Sequence, residues 1–307
     1  MLIAKYFLNS ILYTFKSKIL RKNVPFIAGV VINNDCNLKC SQCFLQNEKR
    51  TTLSIQQISD GLDQLYSRGI RSVAITGGEP FMWRDGNLRL NNVFNLIYKK
   101  GFMVSSVYTN GTFAINTSAD NVFVSIDGTE ATTNKLRGPV FHTVINNIKA
   151  SKHPKIFINY TINSLNYTEI EQFCQFIKTI PQIKGVFFYF YTPYNSIDEL
   201  YLSRDERVEI ARKIIALKKI YKILNSHAAL NDFINNNWSR PSDVCLVYSD
   251  KAEIVRCCRT IKNQEACDNC GYLGYLEVID VTKFKLSAVW EAFNYLPNKS
   301  SRESYVN

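Results

Sequence analysis

From Pro25 onward, short β-rich apolar runs alternate with helical patterns, and this alternation constrains the fold more than any other feature of the chain. The runs are FIAGVVINN (26–34), RSVAIT (71–76), FMVSSVYT (102–109), NVFVSID (121–127), KIFINYTIN (155–163) and KGVFFYFYT (184–192). Helical periodicity fills the intervals at about 54–68, 88–99, 140–150 and 167–179, with a sixth-unit helix at about 203–222. Capping boxes mark three starts: Ser54 with Gln57, Thr168 with Glu171, and Ser203 with Glu206. The connection 110–120 is too short for a long helix. Parallel neighbours need a crossover, and helices are the usual crossover, so six such units predict an α/β fold with a parallel sheet, either an incomplete barrel or doubly wound. The runs are almost continuously apolar, as strands covered on both faces are. In either architecture the loops at the carboxyl ends of the strands carry the chemistry.

Composition narrows the setting. A chain of 307 residues with 46% hydrophobic and 21% charged residues can bury a full core, and it contains no run of 18 apolar residues to cross a bilayer. Lys5 interrupts the apolar N-terminus and no small-residue cleavage site follows, so a cytoplasmic protein is expected. Residues 1–24 read as a basic amphipathic helix, with Ile3, Phe7, Ile11, Leu12, Phe15 and Ile19 on one stripe and no acidic residue. That stripe packs on its own domain or, as the alternative, makes a peripheral contact with an anionic membrane. The net charge of +11 is scattered and accompanied by no nucleic-acid-binding motif, so a solvated basic surface and no nucleic-acid partner are expected. Residues 25–223 are expected to form one α/β core domain, and 224–307 a loop-rich, cysteine-bearing extension with a polar tail from Asn298.

Of nine cysteines, three are bunched at 36–43 and five at 245–270, a clustering that favours metal over a disulfide framework. In DCNLKCSQCF, just past the first strand, Cys36, Cys40 and Cys43 have CxxxCxxC spacing. Three thiolates on one loop hold three corners of an iron–sulfur cube and leave the fourth iron open to a ligand. A closed zinc site would want a fourth ligand, and none is near in sequence. ITGGEPFM follows the second strand, where Gly77 and Gly78 permit a close backbone approach and Glu79 can accept hydrogen bonds from an ammonium.

These two motifs, in this order on these strands, resemble the radical S-adenosylmethionine (SAM) superfamily, and the resemblance covers residues 25 to about 195. It implies a partial (β/α)6 TIM-like barrel with a small cysteine-rich C-terminal extension. It also implies a [4Fe-4S] cluster whose open iron binds SAM, reductive cleavage to a 5′-deoxyadenosyl radical, and an electron donor such as flavodoxin or ferredoxin. YTNGT (108–112) resembles the end of the family's third strand, and SIDG (125–128) followed by LRG (136–138) its fourth-strand pattern. By that likeness Thr109, Ser125, Arg137 and Asn163 contact SAM together with Gly77, Gly78 and Glu79. Relatives carry an aromatic residue just before the third cysteine; here that position is Gln42, and the nearby aromatic is Phe44, which the likeness sets beside the adenine.

The second cysteine group, Cys245, Cys257, Cys258, Cys267 and Cys270, resembles the auxiliary-cluster region of twitch or SPASM-type members and more faintly the tail of hopanoid adenosyl-transferring enzymes. Cys245, Cys258, Cys267 and Cys270 supply four thiolates for a second [4Fe-4S] cluster, with zinc as the alternative; spacing leaves the choice between Cys257 and Cys258 open. The expected activity is modification of an unactivated carbon, with a lipid or isoprenoid substrate ahead of a peptide. A non-catalytic zinc or nucleic-acid-binding module is the alternative from another class.

Overall fold

The computed structural model describes residues 25–45, 48–194, 196–240, 244–256 and 263–297. The N-terminal amphipathic segment therefore lies outside the described residues. Six strands occupy the expected places: β1 (Ile27–Val31), β2 (Ser72–Thr76), β3 (Val104–Thr109), β4 (Asn121–Ser125), β5 (Ile156–Ile162) and β6 (Ile183–Phe190). Two more, β7 (Cys245–Tyr248) and β8 (Ile254–Arg256), lie in the extension and were not expected. The sheet order is β6-β5-β4-β3-β2-β1-β7-β8, parallel throughout except for the antiparallel β7/β8 pair. This is the open, mostly parallel sheet of a partial TIM-like barrel.

Ten α-helices are described: α1 (Ile55–Ser67), α2 (Leu90–Lys99), α3 (Glu130–Arg137), α4 (Phe141–Ala150), α5 (Ile170–Ile177), α6 (Arg204–Leu217), α7 (His227–Ile234), α8 (Gln264–Asp268), α9 (Leu273–Thr282) and α10 (Leu286–Ala292). The capping boxes of α1 and α6 form as the sequence suggests, each serine accepting from the backbone of the third helical residue. The Thr168 box does not form. Thr168 lies inside a 3-10 turn, Tyr167–Glu169, and α5 begins only at Ile170, so Thr168 is not an N-cap; the neighbouring Glu169 carboxylate accepts from the backbone N–H of Thr129 (2.8 Å) and the hydroxyl of Thr132 (2.5 Å). Nor is the extension loop-rich, because β7 and β8 join the sheet and α7, α9 and α10 pack together.

Alternate strand residues pack outward under the helices. Val30, Ile75, Val107, Val124, Ile158 and Phe188 meet Ile58, Leu62, Phe94, Ile97, Val144 and Phe173 in one continuous core, all of them buried. The extension is locked into this layer. Tyr248 of β7 lies so close to α1 that a Cβ at Gly61 would stand 2.4 Å from its ring, and its hydroxyl donates to the Gln57 carbonyl at 2.9 Å.

The inner face is less completely filled. Short side chains at Ser72, Ala74 and Ser106 leave a cavity of about 420 Å³, walled by Phe123 and Phe187 and floored by α9 and α10. Glu277 of α9 faces this cavity and accepts the Ser226 N–H at 2.7 Å. Burial pushes its carboxyl up to about 8, so it is largely protonated at neutral pH. The folded pKa lies above the unfolded one. The carboxyl is therefore held without penalty below about 4.5, and stability falls as pH rises from there through 8. Glu277→Gln should remove this loss: in urea titrations at pH 5 and pH 9, the variant should gain on the wild type with rising pH, by several kcal/mol at most.

Candidate active site

The site is built at the carboxyl ends of the strands, beginning where β1 hands over to the cysteine loop. The turn after β2 runs directly against this exit. Gly78 N–H donates to the Asn33 carbonyl at 3.0 Å and Glu79 N–H to the Asp35 carbonyl at 2.7 Å. A Cβ at Gly77 would lie 2.3 Å from the Asn33 carbonyl oxygen, and one at Gly78 would lie 2.2 Å from that of Asp35. The close approach that paired glycines permit is thus made first to the protein's own chain, one residue before Cys36.

Glu79 is fully buried. One carboxylate oxygen accepts from Thr109 Oγ1 at 2.8 Å and from the Phe81 N–H at 3.0 Å, while the other accepts from the Asn110 N–H at 2.7 Å. Burial nevertheless pushes it up to about 7. Glu79 and Thr109 therefore tie the β2 turn to the end of β3. Asn110, which the sequence reading passed over, reaches the loop itself: its Nδ2 lies 3.6 Å from Cys36 Sγ, and the Leu38 N–H donates to the same sulfur at 3.4 Å.

The other side of the loop is anchored by Asp127, also fully buried and also passed over. It accepts from Arg137 Nε at 2.5 Å, Gln42 Nε2 at 2.6 Å and the Thr161 N–H at 2.8 Å. Gln42 Oε1 in turn accepts from Asn163 Nδ2 at 3.0 Å. Gln42, standing where relatives carry an aromatic residue, is thus a polar cross-link between the cysteine loop, β4 and the end of β5. The Ser41 N–H donates to the Leu136 carbonyl at 2.9 Å, which docks the loop on the end of α3. Phe44 packs against Tyr194, centroids 4.4 Å apart, bringing the loop to the exit of β6.

The three thiols sense one another electrostatically. Burial pushes Cys36 up and Cys40 up to about 11, with the Arg137 guanidinium opposing the shift at Cys40. Among the described residues no three metal-donor side chains converge on a single ion. A cuboidal cluster asks for something different, one thiolate at each of three separate corners.

A model of the radical SAM superfamily matches residues 30–180. This stretch, just under half of the chain, is a radical SAM domain. That family works with a [4Fe-4S] cluster and SAM. The chain is 35% identical over 91 residues to the antilisterial bacteriocin subtilosin biosynthesis protein AlbA of Bacillus subtilis, a stretch covering 29% of this chain and 19% of AlbA. The likeness to that curated relative thus spans about a fifth of the relative's length. Its fold is similar to that of Streptococcus suis SuiB bound to the precursor peptide SuiA, with TM-score 0.62 and 15% identity over 86% of this chain and 67% of SuiB. It is also similar to native anSMEcpe with bound AdoMet and Kp18Cys peptide, with TM-score 0.59 and 16% identity over 82% of each chain.

The residues of this radical SAM chain fit a polar cofactor at the barrel mouth. Ser125 ends β4 beside Asn159 of β5, and Asn159 Oδ1 is buried with no hydrogen-bond partner among the described residues, an acceptor awaiting a donor. Sequence reasoning missed Asn159 because it sits inside an apolar strand pattern. The second cysteine group is partly visible. Cys245 packs beside Tyr272, and the Tyr272 N–H donates to Cys270 Sγ at 3.5 Å. Cys267 is buried on α8, while Cys257 and Cys258 lie outside the described residues. Buried Arg207 holds this loop through the Asn269 carbonyl (2.8 Å) and bears electrostatically on Cys270.

Two substitutions test the scaffold of the site. Gly78→Ala forces the two chains apart and should cost roughly 1–3 kcal/mol, with lower iron uptake on reconstitution. Asp127→Ala leaves a buried guanidinium uncompensated and should cost about 3–5 kcal/mol, read from urea denaturation.

Proposed function

We propose that this enzyme binds a [4Fe-4S] cluster through Cys36, Cys40 and Cys43 and uses it to cleave SAM and modify a peptide. The observation that carries the reading is the three-thiol loop itself, pinned at the mouth of the barrel on both sides by buried hydrogen bonds and left one ligand short. When bound, the cluster supplies one electron to the sulfonium, giving methionine and a 5′-deoxyadenosyl radical that abstracts hydrogen from the substrate. The protein's part is placement. Asp127 fixes Arg137 and Gln42, Glu79 fixes Thr109 and Asn110, and Ser125 and Asn159 offer polar groups from adjacent strands to the nucleoside side of the ligand.

A peptide substrate is supported by the two structural relatives above, both held with peptides, and is favoured over the lipid that the N-terminal stripe suggested. The C-terminal cysteines are proposed to hold a second [4Fe-4S] cluster. Arg207 supports this, a buried cation beside Cys270 whose Nε has no hydrogen-bond partner among the described residues.

Anaerobic reconstitution should give about four irons per chain for one cluster and about eight for two, with 5′-deoxyadenosine formed from SAM under a low-potential reductant. Cys40→Ala should abolish 5′-deoxyadenosine formation and remove the first cluster's iron; a fully loaded, SAM-cleaving Cys40→Ala protein would refute the reading.

A further inference from the structure

We infer that Asn110 is a positioning residue that raises the reduction potential of the cluster by donating a hydrogen bond from Nδ2 to the Cys36 sulfur. This rests on the assignment of Cys36 as a cluster ligand in the preceding subsection. An N–H directed at a ligating sulfur stabilises the more negative, reduced cluster, and such bonds are among the protein's main means of setting its potential.

The orientation of the amide is fixed by its surroundings. Asn110 Oδ1 accepts from the Thr112 backbone N–H at 2.9 Å and from Thr112 Oγ1 at 2.7 Å. A backbone N–H cannot reverse its role, so the oxygen must face Thr112 and Nδ2 must face the other way. There it meets Asn37 Oδ1 at 2.9 Å and Cys36 Sγ at 3.6 Å, one acceptor for each hydrogen. Asn37 closes the ring by donating from its own Nδ2 to Thr112 Oγ1 at 2.9 Å. The main chain is held as firmly, because the Asn110 N–H is bound by buried Glu79. Asn110 is itself buried, which strengthens a weak N–H···S contact relative to one in water.

Cys36 thereby receives two N–H groups, from Leu38 and Asn110, while Cys40 faces the Arg137 guanidinium. The donor at Cys36 can be removed by substitution without touching a ligand.

The test is an EPR-monitored redox titration of the reconstituted protein without SAM, comparing the wild type with Asn110→Ala and Thr112→Val. Asn110→Ala should shift the midpoint to more negative potential, by about tenfold in the one-electron reduction equilibrium or about 59 mV. Thr112→Val keeps the amide but removes one of the two donors that orient it, and should give a smaller shift in the same direction. An unchanged midpoint in cluster-loaded Asn110→Ala overturns the inference. Should that variant take up no cluster, an unchanged midpoint in Thr112→Val overturns it instead. A wild type that binds no [4Fe-4S] cluster would be a failure of the ligand assignment, which iron counting reads separately.

Discussion

Two main chains leave the sheet side by side with no room for a side chain between them, and the site depends on that contact. The glycines after β2 let the turn hydrogen-bond to Asn33 and Asp35, just ahead of Cys36. A loop that starts from a fixed backbone has fewer conformations to lose when it arranges its thiols. The same turn carries Glu79, whose burial is offset by three hydrogen bonds, two of them from the end of β3. Backbone approach and buried carboxylate therefore act as one unit, joining the first three strand ends before any cofactor is considered.

The opposite flank uses different chemistry for the same purpose. Asp127 gathers Arg137, Gln42 and the β5 backbone, and through Gln42 it reaches Asn163. A fully satisfied buried network of this kind specifies one geometry, because any alternative arrangement leaves a charge or amide without a partner. Cys43 stays exposed between the two anchored flanks.

Much of this was legible in the chain, for physical reasons that also explain what was not. The six strands announced themselves because each is a dense apolar run covered on both faces. Helix α3 did not, since its buried residues are Thr132, Thr133 and Leu136 and it shows no apolar stripe. Strands β7 and β8, four and three residues long, are too short to display a period. The cysteines and the glycine pair are local motifs and could be read directly. Asp127, Gln42 and Asn110 act through partners many tens of residues away, so the motif reading chose their neighbours Ser125, Phe44 and Thr109 instead. The Thr168 capping box failed for a local reason: Thr168 is taken up in a 3-10 turn, and α5 starts one residue later than its spacing to Glu171 requires.

The pairing of β7 with β1 has a consequence beyond the extension itself. β1, the strand that delivers the first cysteines, would otherwise present a bare row of amide and carbonyl groups, a template onto which a second molecule can add a strand. The cysteine-rich tail thus moves the open edge from β1 to the three-residue β8, a shorter template. Loosening the tail would uncover the longer edge of β1 beside the cysteine loop.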